Sequence, residues 1–407
     1  MSNVSQDPTH TYLDINICNN NISVDNTNPQ QIVFNSKRDA DYITDPSAYY
    51  VSVIRWSLDC NLPICIPQID LNYNNGMYDP AIGGFKTIYS FTLQIKKDVG
   101  GGVIHIAESD QMFVNLVPQH YNIPPPQMPV TSMSQVYDNR YFYIESVQYL
   151  LLLVNDALTR AWVDVKAKWL ANVAWGALPI VDVPPFILYN FDGNFTFNAS
   201  PDFLESVDLT LGRGQIFMNS PLYTLFNGFS SIVVGYDPTS PQDISNGKNN
   251  YIQFISEYQT TTYNNIDYVF MLTEYPTVPF MSPVSSIVFT TQGIPVEPTN
   301  VTPTNIFGSP TNLGSTNNNN NLSPIITDFH ITLNTGIEGR TITYYATQGE
   351  YRFFDLNSNR PLSDIHIVCM WKDKLTGSTH PMYLRSGGAG TLKLLFRKKT
   401  FYNNNSI

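Results

Sequence analysis

A chain of 407 residues with a formal net charge of −11 has room for two or three domains and a sizeable core. Only 14% of its residues are charged, against roughly 25% in an ordinary soluble domain. That excludes coiled coils, helical repeats and acidic disordered tails, all of which need many charges.

Residues 1–30 read as a polar, Asn-rich N-terminal arm around one apolar patch, Tyr12 to Cys18, long enough for a single short strand. The opening MSNVSQDPTH has neither the basic region nor the apolar stretch of a secretory signal, so none is expected. From 31 to 291 strand signals recur. Tyr49 to Leu58 reads as a strand with Val51, Val53 and Arg55 on one face. In Tyr89 to Lys96, Tyr89, Phe91, Leu93 and Ile95 alternate with Ser90, Thr92, Gln94 and Lys96. Period two makes this a half-buried strand with Phe91 and Leu93 in the core.

One segment departs from that period. Val147, Leu150, Leu151, Val154, Leu158, Ala161, Trp162, Val165 and Trp169 fall at helical spacing, which predicts a long amphipathic helix over 146–175. Ser146 caps its start, and Gly176 and Pro179 stop it. Asp192-Gly193 between two aromatic-rich runs predicts a hairpin over Phe186 to Phe197. Val207, Leu209 and Leu211 alternate again, and further strands are predicted at 251–257, 266–275 and 284–291. Residues 292–324 are rich in Pro and Asn and read as a linker or long surface loop. Residues 325–407 read as strands at 325–333, 341–347, 364–372 and 391–401 that complete a β-sandwich and carry a basic end. In 364–371, Ile365, Ile367, Cys369 and Trp371 share one face, which marks a central strand with Ile367 and Trp371 in the core.

Charge is unevenly spread. Residues 340–407 hold ten Lys and Arg against four acids, +6 in a chain whose net charge is −11. The densest cluster is Arg397, Lys398 and Lys399. Overall acidity argues against a free-standing nucleic-acid binder. The basic end suits a contact with an acidic neighbour or with nucleic acid in an oriented assembly.

The search for chemistry returns little. No Walker loop, dinucleotide fingerprint, His-Glu-x-x-His or Gly-x-Ser-x-Gly occurs. The six histidines are scattered, and Cys18, Cys60, Cys65 and Cys369 read as reduced thiols without zinc-ligand spacing. No catalytic residue, cofactor site or metal site is assigned. No run of about 18 apolar residues exists, so no membrane span is expected. With 25 tyrosines, 28 prolines and few charges, the surface suits packing against other subunits.

Three stretches carry a family resemblance: RYFYIESVQYLLLLVNDAL (Arg140 to Leu158); PPFILYNF (Pro184 to Phe191) with IFMNSPLYTLFNGF (Ile216 to Phe229) and SIVFTT (Ser286 to Thr291); and Gly349 to Phe401, which opens GEYRFFDLNSNRPL. The chain resembles the minor capsid (penton) proteins of polinton-like viruses and virophages. That resemblance implies an all-β, jelly-roll β-sandwich in the virion, here with an inserted β-rich element and one long helix. It further implies a homopentamer at the vertices of an icosahedral DNA virus, beside the major capsid protein, assembled inside the host cell. Genomic DNA is then the expected partner of the basic end. Other readings remain open at this point: a major capsid protein with two jelly rolls, a β-sandwich receptor- or carbohydrate-binding protein, and a β-rich hydrolase.

Overall fold

A computed structural model describes residues 9–20, 30–60, 62, 65, 67–70, 72–118, 144, 146–190, 192–234, 247–255, 260–263, 266–297, 299–300, 322–330, 342–345, 352–374, 379–384 and 386–399. The described residues up to Leu62 and from Pro283 onward make one compact unit, and those of Pro63–Ser282 make another. In chain order the main strands of the first unit begin with β1 (His10–Cys18), β2 (Val33–Lys37) and β3 (Tyr49–Leu58). The second unit supplies β4 (Phe85–Asp98), β5 (Ile104–Glu108), β6 (Met112–Leu116) and the helix α1 (Val147–Ala171). It continues with β7 (Phe186–Tyr189), β8 (Phe195–Ala199), β9 (Arg213–Met218), β10 (Ser231–Val233), β11 (Asn250–Ile252), β12 (Thr260–Tyr263) and β13 (Ile266–Leu272). The first unit resumes with β14 (Val284–Thr291), β15 (Ile325–Phe329), β16 (Ile342–Tyr345), β17 (Phe354–Asp355), β18 (Asp364–Asp373), β19 (Thr379–Pro381) and β20 (Ala389–Lys398).

The first unit is two antiparallel sheets. One runs β1–β20–β3–β16, with β17 also on β3; the other runs β15–β14–β18, with β2 and β19 paired along the far side of β18. Numbering the eight positions by chain order, the sheets read first–eighth–third–sixth and second–seventh–fourth–fifth. That order, two Greek keys closing on each other, is a jelly roll. The first strand pairs with the last over its whole length, from His10 opposite Arg397 to Cys18 opposite Ala389, so the sheet cannot be completed until both chain ends are present. Residues 10–18 of the expected arm are therefore a full strand of the sandwich. The insertion enters between the third and fourth strands, so the compact units interleave along the chain.

Aromatic rings join the two sheets. Trp56 of β3 lies 5.6 Å from both Phe289 of β14 and Phe329 of β15, and Phe34 of β2 lies 6.5 Å from Phe289. A β-bulge sets which residues reach this core. Leu394 of β20 pairs with Val53 but Lys393 pairs with Arg55, so Ile54 is an extra residue in β3. The inward phase shifts from Val51 and Val53 to Trp56 and Leu58, all buried. Arg55, expected on the Val51–Val53 face, instead sits half-exposed, 3.3 Å from Asp14.

In the second unit, one sheet runs β10–β11–β9–β4–β5, with β6 also paired to β4, and a smaller one runs β12–β13–β8–β7. Neither follows the jelly-roll order. The expected hairpin is present: β7 and β8 pair from Phe186 opposite Asn198 to Tyr189 opposite Phe195, and Gly193 takes φ +88 in the turn. Val207, Leu209 and Leu211, expected as a strand, lie in turns, where the Asp208 carboxylate accepts from the Thr210 amide. That local bond offers the backbone an alternative to a sheet ladder.

The helix begins where its cap requires, with Ser146 Oγ accepting from the Tyr149 amide at 3.4 Å. It ends at Ala171, four residues before the expected 175. A short 3-10 turn, Val173–Trp175, follows, and Gly176 at φ +76 then turns the chain away. Every apolar position named from the sequence is buried, and α1 packs on β4, β5, β6 and β7. Asp156–Arg160 at 2.8 Å and Asp164–Lys168 at 3.0 Å brace its polar side. Asn155 acts as a strand surrogate at the edge of the smaller sheet: its Oδ1 accepts from Ile187 N at 2.8 Å and its Nδ2 donates to Ile187 O at 2.9 Å.

The strand β4 is buried on both faces. Phe91, Leu93 and Ile95 face α1 in the core, as alternation requires, yet Ser90, Thr92 and Gln94 are buried too. The expected half-exposed strand fails here because its polar face finds protein partners: Gln111 Nε2 donates to Ser90 Oγ at 2.8 Å, and Gln94 Nε2 donates to Glu108. Of the expected linker 292–324, residues 298 and 301–321 lie outside the described ones.

Candidate assembly surfaces

The basic end is the last strand of the jelly roll. Period two sends Arg397 to one face of β20 and Lys398 to the other. The Arg397 guanidinium lies 5.6 Å from the Phe353 ring centroid, and Lys399 Nζ lies 2.8 Å from Asp355 Oδ1 and 5.4 Å from the Tyr50 centroid. Nearby, Lys393 and Arg55 share the Asp14 carboxylate, each at 3.3 Å. No ion pair to Lys398 occurs among the described residues. All three cations of the cluster are half-buried, and the positive excess is smaller than three adjacent charges suggest.

Trp371 and Ile367 lie buried on one face of β18, with Ile365 and Cys369, and Trp371 packs against His380 with ring centroids 4.5 Å apart. Phe91 and Leu93 lie in the core of the second unit.

The cysteines carry no disulfide: Cys18 is exposed, and Cys60, Cys65 and Cys369 are buried. Burial pushes the Cys65 thiol up to about 12, and burial with Cys60 nearby raises Cys369 well above its ordinary value. Such thiols stay protonated at neutral pH and are poor nucleophiles and metal ligands. Among the described residues no three His, Cys, Asp or Glu side chains converge on a metal-sized site, and no helix is long and apolar enough to cross a membrane.

Two features were not read from the sequence. Large exposed apolar side chains concentrate in the second unit; among the described residues only Tyr12 lies outside it. They include Val233 (76% exposed) on the edge strand β10, and Leu152 (63%), Val163 (58%) and Leu170 on the outer side of α1. Leu152, Val163 and Leu170 recur at steps of 11 and 7 residues, which keeps them on one helical stripe. Exposed apolar groups that form a contiguous patch mark surfaces that other proteins cover, whereas single ones need no explanation.

The second feature is a polar cluster on the face of β4 and β9 turned away from α1. Gln94 stands opposite Gln215, and Lys96 opposite Arg213. Lys248 Nζ lies 2.6 Å from Glu108, and Arg213 Nη1 lies 3.3 Å from the Glu205 carboxylate. The Tyr251 hydroxyl donates to Glu205; burial, and then that carboxylate, pushes its phenol pKa up. Lys96 makes no ion pair among the described residues. Burial first, then the Arg213 and Lys248 cations, lower its pKa. The polar phase of β4, with Gln94 and Lys96 in step, was the only sequence signal for this cluster.

The sequence profile of the family described as Sputnik minor capsid protein V18/19 matches residues 11–398. The chain belongs to that family. Within it, the chain is 29% identical to protein V18 of Sputnik virophage over 142 residues, 33% of this chain and 73% of the relative. It is 25% identical to the structural protein V19 of the same virophage over 190 residues, 46% of this chain and 82% of that one. Its fold is similar to a chain in the cryo-EM structure of the Sputnik virophage, with TM-score 0.68 at 23% identity, covering 97% of this chain and 99% of that one. It is also similar to the crystal structure of mavirus penton protein, with TM-score 0.53 at 14% identity over 96% and 100%. As a minor capsid protein the chain is a structural subunit of a virion. In such a subunit the surfaces other proteins cover are the functional site, and the exposed apolar side chains of the second unit are the candidates for them.

Proposed function

We propose that this minor capsid protein is the vertex subunit of its shell, a homopentamer seated among copies of the virus's major capsid protein, with no catalytic role. The observation that carries this reading is the single jelly roll closed by its first and last strands, with a second unit inserted between its third and fourth. The match to mavirus penton protein over nearly all of both chains supports it. Identical subunits close into a ring through heterologous contacts, one surface of a copy meeting a different surface of the next. The apolar side chains on β10 and α1 supply one such surface. Native mass spectrometry and electron microscopy of the protein, alone and with its capsid partner, are expected to give five-membered rings. A protein that stays monomeric in both settings would overturn the reading. We further propose that Arg397, Lys398 and Lys399 meet the genome or an acidic neighbour, a contact limited by the Lys399–Asp355 pair.

A further inference from the structure

The two outer strands of the larger sheet in the second unit, β5 and β10, have bare edges. Val99 N donates to Val103 O and Ser109 N to Leu93 O. Alternation between those bonds turns the N–H and C=O of Ile104 and Ile106 away from β4. Likewise Val234 N donates to Asn249 O and Gln253 N to Ser230 O, which turns the N–H and C=O of Ser231 and Val233 away from β11. No hydrogen bond reaches these outward groups among the described residues. Such an edge is a template for another strand, and a protein that keeps it single places Lys, Pro or a bulge there. Neither strand has any of these. The edge of β7, by contrast, is closed by Asn155.

The two edges fit each other in direction and in face. Four antiparallel pairings separate β10 from β5, so the two strands run the same way. Ile104 and Ile106 lie on the face of Lys96, opposite Asp98 and Lys96. Ile232 lies on that same face, through Tyr251, Phe217 and Thr92 in turn, and Val234 follows two residues on. All four side chains are between 40% and 47% exposed. Rotation about an axis along the strands, as in a ring, sets β5 of one copy beside β10 of the next with direction and faces kept. We propose that these edges join in parallel between neighbouring copies, Ile104 beside Ile232 and Ile106 beside Val234, so that one sheet runs on from subunit to subunit. Ile104 N–H then donates to Ser231 O, Val233 N–H to Ile104 O, and Ile106 N–H to Val233 O. The Val233 side chain falls beside His105, whose ring stacks on Trp175 with centroids 4.9 Å apart. Pairing β5 with β5, or β10 with β10, would leave the other edge bare in every copy, whereas the heterologous contact uses both. This contact presupposes the closed ring of copies proposed above.

The test uses the full chain, with Cys18→Ser as background because that thiol is exposed. The oligomer, formed alone or with the capsid partner, is treated with a short bis-maleimide. Ile106→Cys with Val234→Cys in one chain is expected to give a covalent ladder up to the ring size, and each single variant to stay uncrosslinked. Val233→Pro removes an N–H that bonds nothing within the fold, and Ile104→Lys puts a charge on an exposed edge. Both should keep the circular dichroism of the wild type and weaken subunit association at least about tenfold, read by mass photometry across a dilution series. A ring that forms without the 106–234 crosslink, or that both edge variants build as well as the wild type does, overturns this contact and leaves the ring standing. A crosslinked dimer from Ile106→Cys alone shows like edges pairing and also overturns it. A wild type that stays monomeric in both settings removes the ring itself, and this contact with it.

Discussion

Trp371 is enclosed on β18 with its indole against His380, and its neighbours on that face, Ile367 and Cys369, are fully buried. Trp371→Ala should cost about 3–5 kcal/mol, the range for emptying an aromatic core site, read as a shift in the urea midpoint. An unchanged midpoint would put the indole outside the energetic core. Cys65 offers a pH test. The native state holds its thiol proton up to about 12, whereas an ordinary thiol releases it near 9.0. Between those values unfolding releases a proton, so stability falls as pH rises, by up to about 1.4 kcal/mol per pH unit. The loss between about pH 8 and pH 10.5 should be smaller in Cys65→Ala than in the wild type; equal losses would place the effect elsewhere. At this scale the sequence was legible where alternation ran unbroken, as from Ile365 to Trp371. Arg55 was misassigned because one extra residue, Ile54, reverses the phase, and no composition signal marks a bulge.

Among the elements, α1 was the most legible, because nine apolar positions and a serine cap agree with each other. Its role at a sheet edge was not. Asn155 falls off the apolar stripe of the helical pattern, yet its amide satisfies both backbone groups of buried Ile187. Asn155→Ala should leave that N–H and C=O unpaired and cost about 1–3 kcal/mol, with the first loss of hydrogen-exchange protection in Phe186–Tyr189. Retained protection in that strand would mean another group takes over the edge. The strand β4 shows the converse limit: alternation identified its apolar face, but a polar face reads the same whether water or other side chains meet it. Only packing against β9 and β5 distinguishes the two.

For the whole molecule, the basic end gives a measurable electrostatic expectation. Lys399 is neutralised by Asp355, so genome association through this end should weaken gently with salt. The slope of log affinity against log salt should be about −1 to −2 for one or two phosphates. Changing Arg397, Lys398 and Lys399 together to Gln should flatten that slope; within the fold it removes the Lys399–Asp355 pair, worth about 0–1 kcal/mol, and the contacts of Arg397 with the Phe353 ring and of Lys399 with the Tyr50 ring. Normal genome retention and an unchanged slope in the triple variant would leave these residues as solvated strand-end charges. The sequence by itself determined the strand-rich class, the long helix and the buried rows at Phe91–Ile95 and Ile365–Trp371, because hydrophobic period is a local property of consecutive residues. Which strands pair was decided only by the tertiary structure. His10 to Cys18 finds its partner nearly 380 residues later, the insertion enters between two strands that belong to one sandwich, and Gln94 meets Gln215 across two strands. Those outcomes depend on burying faces from distant segments against one another, and no window of neighbouring residues encodes the energy of such a contact.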